Sequence, residues 1–268
     1  MSFDLRTLFD PKGIIITGVS NHPGKFGFVT LHNLLASGYA GEIFPVGREP
    51  GEALGRPVLG SIDEVPDGAA DMVFICTPQA LNEDLLRAAA AKGVTAAFFA
   101  AAGYREAGPE GADAEARLVA LAEELGVAVA GPNGQGVVST PSRMCAQIVA
   151  PYAPAGRIAV ASQSGNFVSS FLNLAHHTGV GVSRAVAAGN AAILGIADYL
   201  EWFADDPETS VCLAYVESVD DGREMFERLR SVAARKPVVL VKGGASARGH
   251  GGCQPHTALA SDDAVFDG

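Results

Sequence analysis

Between Gly13 and Asn133, short apolar runs alternate with stretches whose apolar residues recur at helical spacing. The runs Ile14–Thr17, Glu42–Val46, Met72–Thr77, Ala96–Ala101 and Val127–Ala130 read as strands, and Phe26–Ala36, Ala80–Lys92 and Ala112–Leu125 as helices. Each helix meets a stop signal, at Ser37-Gly38, Lys92-Gly93 and Leu125-Gly126, where glycine accepts the left-handed conformation that ends a helix. Apolar strands separated by helices predict βαβ units and a parallel sheet covered on both faces. The pattern is that of a Rossmann-like domain, expected over residues 1–140.

From Ser139 to Gly156 the alternation lapses into a polar stretch bearing Pro141, Pro151 and Pro154, which reads as an interdomain connection. It then restarts. Strands are expected at Ile158–Ala161, Val182–Ala187, Val211–Val216 and Val238–Val241, with helices at Phe167–Thr178, Ile193–Ala204 and Gly222–Ala234. This second α/β domain, over residues 155–268, is expected to be doubly wound and flavodoxin-like. After Lys242 the chain turns glycine-rich, Gly243-Gly244-Ala245-Ser246-Ala247-Arg248-Gly249-His250-Gly251-Gly252, a loop leading to His256.

Composition narrows the function classes. With 268 residues, 48% hydrophobic and 18% charged, the chain is globular and long enough for two cores. A net charge of −11 argues against a nucleic-acid surface, which needs a basic stripe, yet leaves room for an anionic ligand held by backbone amides and a few placed cations. No apolar run is long enough to span a membrane, and Met1–Leu5 does not read as the start of a secretory leader, so the cytoplasm is the expected compartment. Cys76, Cys145, Cys212 and Cys253 lack metal-type spacing and are expected to be reduced thiols; no metal site is expected.

Strand one runs into Gly18-Val19-Ser20-Asn21-His22-Pro23-Gly24-Lys25-Phe26-Gly27 and then a helix. Such a turn brings backbone and helix N-terminus close to a pyrophosphate, with Lys25 beside it as a point charge. It departs from G-x-G-x-x-G at Ser20. Strand two ends Pro45-Val46-Gly47-Arg48, where a dinucleotide site would want an acid for the ribose; an arginine suits an extra phosphate, so NADP and coenzyme A both fit. Thr77-Pro78 and Gly131-Pro132-Asn133-Gly134-Gln135-Gly136 lie at the same carboxyl edge. In the second domain, Ser162-Gln163-Ser164-Gly165-Asn166 opens a helix and offers a second anion site, against the plainer reading of Ser164 as an N-cap. Glu217 ends a strand at the carboxyl edge. His256 can act as a nucleophile toward phosphorus when a carboxylate, for which Glu217 is the candidate, fixes its tautomer.

Taken in order, Gly18-Val19-Ser20, Pro45-Val46, Gly131-Pro132-Asn133, Ser162-Gln163-Ser164-Gly165, Gly189-Asn190, Tyr215-Val216-Glu217 and His256-Thr257 resemble the NDP-forming (ADP-forming) acyl-CoA synthetases, relatives of the succinyl-CoA synthetase α subunit. The resemblance implies that the first domain binds coenzyme A through its glycine-rich turn; the residues expected to line that site are Gly18, Ser20, Lys25, Gly27, Val46, Arg48, Thr77, Pro78 and Asn133, with Gly47-Arg48-Glu49 standing where the family usually shows Asn-Pro-Lys. It implies that His256 carries phosphate, that Ser162, Gln163, Ser164, Gly165 and Asn166 cradle it, and that Glu217 steadies the histidine. The implied reaction is acid + CoA + ATP ⇌ acyl-CoA + ADP + phosphate, with a small carboxylic acid as substrate. ATP and Mg²⁺ would enter through an ATP-grasp domain or β subunit, in an oligomeric assembly. Pro255 replaces a common serine before the histidine, one glycine is missing after Thr257, and Gln135 stands where a cysteine is frequent. The changed histidine loop supports a competing reading as a CoA-sensing regulatory module; an NADP-dependent oxidoreductase, suggested by Arg48, leaves Ser162–Gly165 and His256 unexplained.

Overall fold

The computed structural model describes residues 3–149, 153–219 and 221–243. A short helix, α1 (Arg6–Phe9), precedes a five-stranded sheet of order β2-β1-β5-β6-β7, all parallel. Its strands are β1 (Gly13–Ile16), β2 (Glu42–Pro45), β5 (Met72–Ile75), β6 (Ala96–Phe99) and β7 (Ala128–Ala130). A small antiparallel hairpin, β3 (Gly51–Ala53) and β4 (Arg56–Val58), follows β2. The helices are α2 (Phe26–Ser37), α3 (Asn82–Ala91) and α4 (Pro109–Leu125). α2 and α4 end where glycine permits it, at Gly38 (φ 75°) and Gly126 (φ 67°).

Every residue of β1, β5 and β6 is buried, so both faces of this sheet are covered, and successive residues feed two different cores. Ile15, Val73, Ile75, Ala97 and Phe99 pack with Leu86 of α3 and Leu118 and Leu121 of α4. Ile14, Ile16, Phe74 and Phe98 face the other way, toward Leu31 and Leu34 of α2.

The second sheet has six strands in the order β13-β12-β10-β11-β8-β9. β10 (Ala155–Ser162), β11 (Val182–Ala187), β12 (Val211–Val216) and β13 (Val238–Lys242) run parallel, while β8 (Gly136–Ser139) and β9 (Met144–Gln147) add an antiparallel pair beside β11. Helix α5 (Gly165–Thr178) covers one face; α6 (Ile196–Asp205) and α7 (Gly222–Ala233) cover the other. The expected mixed α/β architecture, a Rossmann-like sheet followed by a second wound sheet, is what the chain forms.

The stretch expected to be a connection is different. Ser139–Gly156 contains β9 and the first residues of β10, and the chain passes from β7 into β8 of the other sheet through only Gly131–Gln135. Of the prolines that suggested a linker, Pro141 lies in the β8–β9 turn and Pro154 just before β10, where no ladder hydrogen bond is lost, while Pro151 falls outside the described residues. The two sheets also share a core. The cluster holding Ile14, Phe74 and Phe98 continues through Val137, Ala159, Val186, Phe203 and Cys212 of the second sheet and its helices. At about 1.5–3 kcal/mol per buried large apolar side chain, this shared surface holds the two units firmly together.

Candidate active site

At the first sheet's carboxyl edge, Gly18 takes φ 69°, and a side chain there would sit 3.0 Å from the Cys76 carbonyl. Gly27, in the first turn of α2, lies against the same turn: an added Cβ would stand 2.5 Å from the Gly18 oxygen. Glycine at both positions lets helix and turn touch, which places the α2 N-terminus over the strand end. Val46 stitches the neighbouring strand in, donating its amide to Ile16 O (2.8 Å) and accepting from Val19 N (3.0 Å). Ser20 Oγ accepts the His22 amide at 3.4 Å, and Lys25 is the exposed N-cap of α2. Arg48 is exposed one residue beyond Gly47. Thr77 and Pro78 close the edge, held by buried Asn82, whose amide, oriented so that its oxygen accepts from the Tyr104 hydroxyl, donates to the carbonyls of both. An open, glycine-lined edge flanked by two exposed cations fits a phosphorylated ligand.

In the second sheet, Ser162 is buried and its hydroxyl shapes the turn, accepting from Ser164 N (3.0 Å) and donating to Ser164 O (2.8 Å). Ser164 is the N-cap of α5; its Oγ accepts the Phe167 amide at 3.4 Å. The structure shows the plain capping role; the first amides of the helix have no partner within it and leave space for an anion beside the cap. Gln163 works as a clamp. Its Oε1 accepts from Glu217 N (2.7 Å) and Ser218 N (3.0 Å), and its Nε2 donates to Ser218 O (3.1 Å), fixing the segment that carries Glu217.

These pieces meet. A cavity of about 410 Å³ lies between the two carboxyl edges, lined by Gln163, Ser164, Gly165, Asn166 and Glu217 from one sheet and by Asn133, Gln135 and Glu106 from the other. Its walls are tied across the divide. Gln135 Oε1 accepts from Ser169 Oγ of α5 at 2.5 Å, and Gly165 leaves room for that side chain, since a Cβ there would lie 2.4 Å from Gln135 Cδ. Fully buried Asn190 donates to Glu106 Oε2 (2.6 Å) and Glu115 Oε2 (2.7 Å) and faces Asn133. Burial pushes the Glu106 carboxyl up, but hydrogen bonds from Asn190 and the Gly103 and Tyr104 amides outweigh it and hold the acid below its ordinary range.

Gly18, Ser20, Lys25, Gly27, Val46, Arg48, Thr77 and Pro78 do not line this cavity; they ring the first sheet's edge, and Phe26, beside Lys25, links that edge to the cavity wall. His256 lies outside the described residues. Glu106 and Phe26 escaped sequence reasoning as site residues. Glu106 follows β6 at the carboxyl edge, the one signal that points to it. Among the described residues no three His, Cys, Asp or Glu side chains are grouped to hold a metal, and no helix is long and apolar enough to cross a membrane.

The family model described as "CoA binding domain" matches residues 12–140, and that described as "Succinyl-CoA ligase like flavodoxin domain" matches residues 155–268. The chain is 38% identical over 253 residues to acetate–CoA ligase [ADP-forming] I of Archaeoglobus fulgidus, covering 94% of itself and 36% of that protein. It is 36% identical to the alpha subunit of acetate–CoA ligase [ADP-forming] I of Pyrococcus furiosus, covering 98% of itself and 58% of the subunit. Among solved structures it superimposes with a TM-score of 0.90 on the dinucleotide-forming acetyl-coenzyme A synthetase 1 of Ca. Korarchaeum cryptofilum in complex with phosphate and ADP, at 30% identity, covering 98% of this chain and 57% of the other. The chain thus spans only part of each relative's length. Two domain matches in this order, on the fold and edges described, make the chain a member of the ADP-forming acyl-CoA synthetase family, carrying its CoA-binding and succinyl-CoA ligase-like flavodoxin domains.

Proposed function

We propose that this chain is the CoA-binding, phosphate-carrying portion of an acid–CoA ligase that performs acid + CoA + ATP ⇌ acyl-CoA + ADP + phosphate. The observation carrying the reading is that the α5 start and Glu217 line one cavity together with Asn133, between two sheet edges, in a chain of this family. Coenzyme A would bind along the first edge, with the Gly18–Gly27 turn receiving its pyrophosphate and Lys25 or Arg48 its remaining phosphate. Its thiol end would reach the cavity past Phe26. Read toward acyl-CoA breakdown, phosphate attacks the thioester carbonyl and releases the CoA thiol, leaving an acyl phosphate. The amides at Gly165 and Asn166 are suited to hold that phosphoryl group. His256 then attacks phosphorus and the carboxylate leaves, Glu217 stabilising the imidazole as it takes up charge. The phosphohistidine passes its group to ADP. Mg²⁺ and the nucleotide would be held by an ATP-grasp domain or subunit outside this chain, the metal neutralising the phosphate charge.

The test is incubation of the chain and its ATP-grasp partner with acyl-CoA and radiolabelled phosphate, following acid-labile label. Label is expected on His256; unchanged labelling in His256→Ala refutes the phosphohistidine. Calorimetry of CoA against NADP tests the first edge separately, with CoA expected to bind and preferential NADP binding rejecting the assignment.

A further inference from the structure

Gln135 crosses from one unit to the other. Its backbone belongs to the loop that leaves the first sheet, yet its side chain is seated on the opening turn of α5 and lines the cavity there. Oε1 accepts from Ser169 Oγ at 2.5 Å, and Nε2 stands 3.5 Å from Asn166 Oδ1. Gly165, the first residue of α5, makes the seat: a Cβ on it would lie 2.4 Å from Gln135 Cδ and 2.6 Å from Nε2. Glycine is a poor helix former, and Gly165 does not adopt the left-handed conformation that would call for it. The room left for the carboxamide explains the residue. An amide nitrogen carries two hydrogens, and the long contact to Asn166 engages at most one of them. The backbone amides of Gly165 and Asn166, which lack partners within the helix, belong to the same turn.

From this arrangement we infer that Gln135 is a phosphoryl-binding residue: its Nε2 donates a hydrogen bond to the phosphoryl group held at the α5 start, and Ser169 is the positioning residue that aims it. The assignment rests on the ligase reading above and adds to it a donor from the other unit. Backbone amides at a helix start grip an anion from the second sheet's side; Gln135 reaches it from the loop that also carries Asn133. A hydrogen bond to a charged oxygen is shorter and stronger than one between neutral groups. With Oε1 taken by Ser169, the nitrogen end of the carboxamide is the end turned toward Gly165 and Asn166. A donor latched in this way loses little freedom when the anion arrives. The cradle is then complete only when the two units are docked.

Gln135→Glu and Gln135→Ala separate a donor from a latch. Glutamate keeps an oxygen for Ser169 but replaces the N–H with negative charge; alanine removes both. The full enzyme, with its ATP-grasp partner, is assayed in the direction acyl-CoA + phosphate + ADP, using whichever of acetyl-, butyryl- and benzoyl-CoA the parent turns over fastest. The KM for phosphate is expected to rise about tenfold or more in Gln135→Ala and further in Gln135→Glu, while that for acyl-CoA stays within about threefold. Ser169→Ala, which leaves Gln135 present but unaimed, is expected to raise the phosphate KM by roughly three- to tenfold. A mere latch predicts the reverse order, with Gln135→Glu close to the parent. A phosphate KM within about twofold of the parent in Gln135→Glu therefore overturns the assignment and leaves the ligase reading intact. So does a parallel rise of both KM values, since a loosened cavity then accounts for the loss. A partner-loaded parent that turns over none of the three, and takes no label from phosphate in their presence, overturns the ligase reading and this inference with it.

Discussion

Gly189 has no room for a side chain. It sits at φ 57°, and an added Cβ would lie 2.3 Å from the Pro132 carbonyl and 2.4 Å from that of Asn133, both backbone atoms of the other sheet's loop. Gly189→Ala is therefore expected to cost about 2 kcal/mol or more, combining left-handed strain with displaced backbone, and to lower the midpoint of urea unfolding. Gly38→Ala, with nothing nearer than an Arg143 guanidinium at 3.9 Å, is expected to cost only about 1 kcal/mol. The contrast marks what sequence reading reaches. Gly18, Gly38 and Gly126 were legible because their reasons are local, a strand-to-helix turn or a helix end. Gly189, Asn190 and Gln135 could be noticed beside motifs but not understood, because their partners, Pro132, Glu106, Glu115 and Ser169, come from distant parts of the chain.

Among the elements, the link between β10 and β12 is the one with chemical consequence. The Gln163 side chain imitates a strand neighbour, taking two amides and supplying a donor to the segment just after β12. Gln163→Ala leaves those groups without their partner, at a cost of about 1–3 kcal/mol where they stay dry. If Glu217 must face His256 in one geometry, His256 labelling from acyl-CoA and phosphate is expected to slow by about tenfold or more while calorimetric CoA affinity, set by the other sheet, holds. Equal labelling rates in the variant and the parent would show that the clamp does not orient Glu217. Strands and helices with strong periodicity were legible nearly to the residue: Val182–Ala187 and Val211–Val216 form as expected. The short strands β8 and β9 were not, since four-residue runs such as Met144–Gln147 carry too little pattern to outweigh a nearby proline.

For the molecule as a whole, one buried arginine joins the parts. Arg184 on β11 is 3% exposed; it donates to Asp206 (3.1 Å), to Asp10 beyond α1 (2.5 Å) and to Ser139 of β8, and lies 5.4 Å from the Trp202 ring centre. Burial disfavours the Asp206 carboxylate, yet hydrogen bonds from Arg184 and Thr209 outweigh it and hold the acid below its ordinary range. Arg184→Ala strands Asp206 in a dry site and is expected to cost about 3–5 kcal/mol in urea unfolding. Asp206 and Glu106 both have folded pKa values below their unfolded ones. Their contribution is therefore complete above about pH 4–5, the unfolded carboxylate range, and is lost as pH falls through the lower folded values. Thermal unfolding followed from pH 7 to pH 3 should show that loss, and Asp206→Asn should flatten it.

The β8–β9 pair has a practical consequence for anyone treating the two halves as interchangeable cassettes. A gene cut after Thr140 would strand β8, with its buried Val137 and Val138, on a fragment holding neither of its partners, β9 and β11. Such a piece would present a sticky, unpaired edge and is expected to precipitate on expression. A cut within Gly131–Gln135 instead keeps the pair with β11, at the expense of the Gln135 latch if it falls on the wrong side. In grafting one relative's first half onto another's second, the join belongs before β8, and the loop Gly131–Gln135 has to travel with the Gly189 turn it grips.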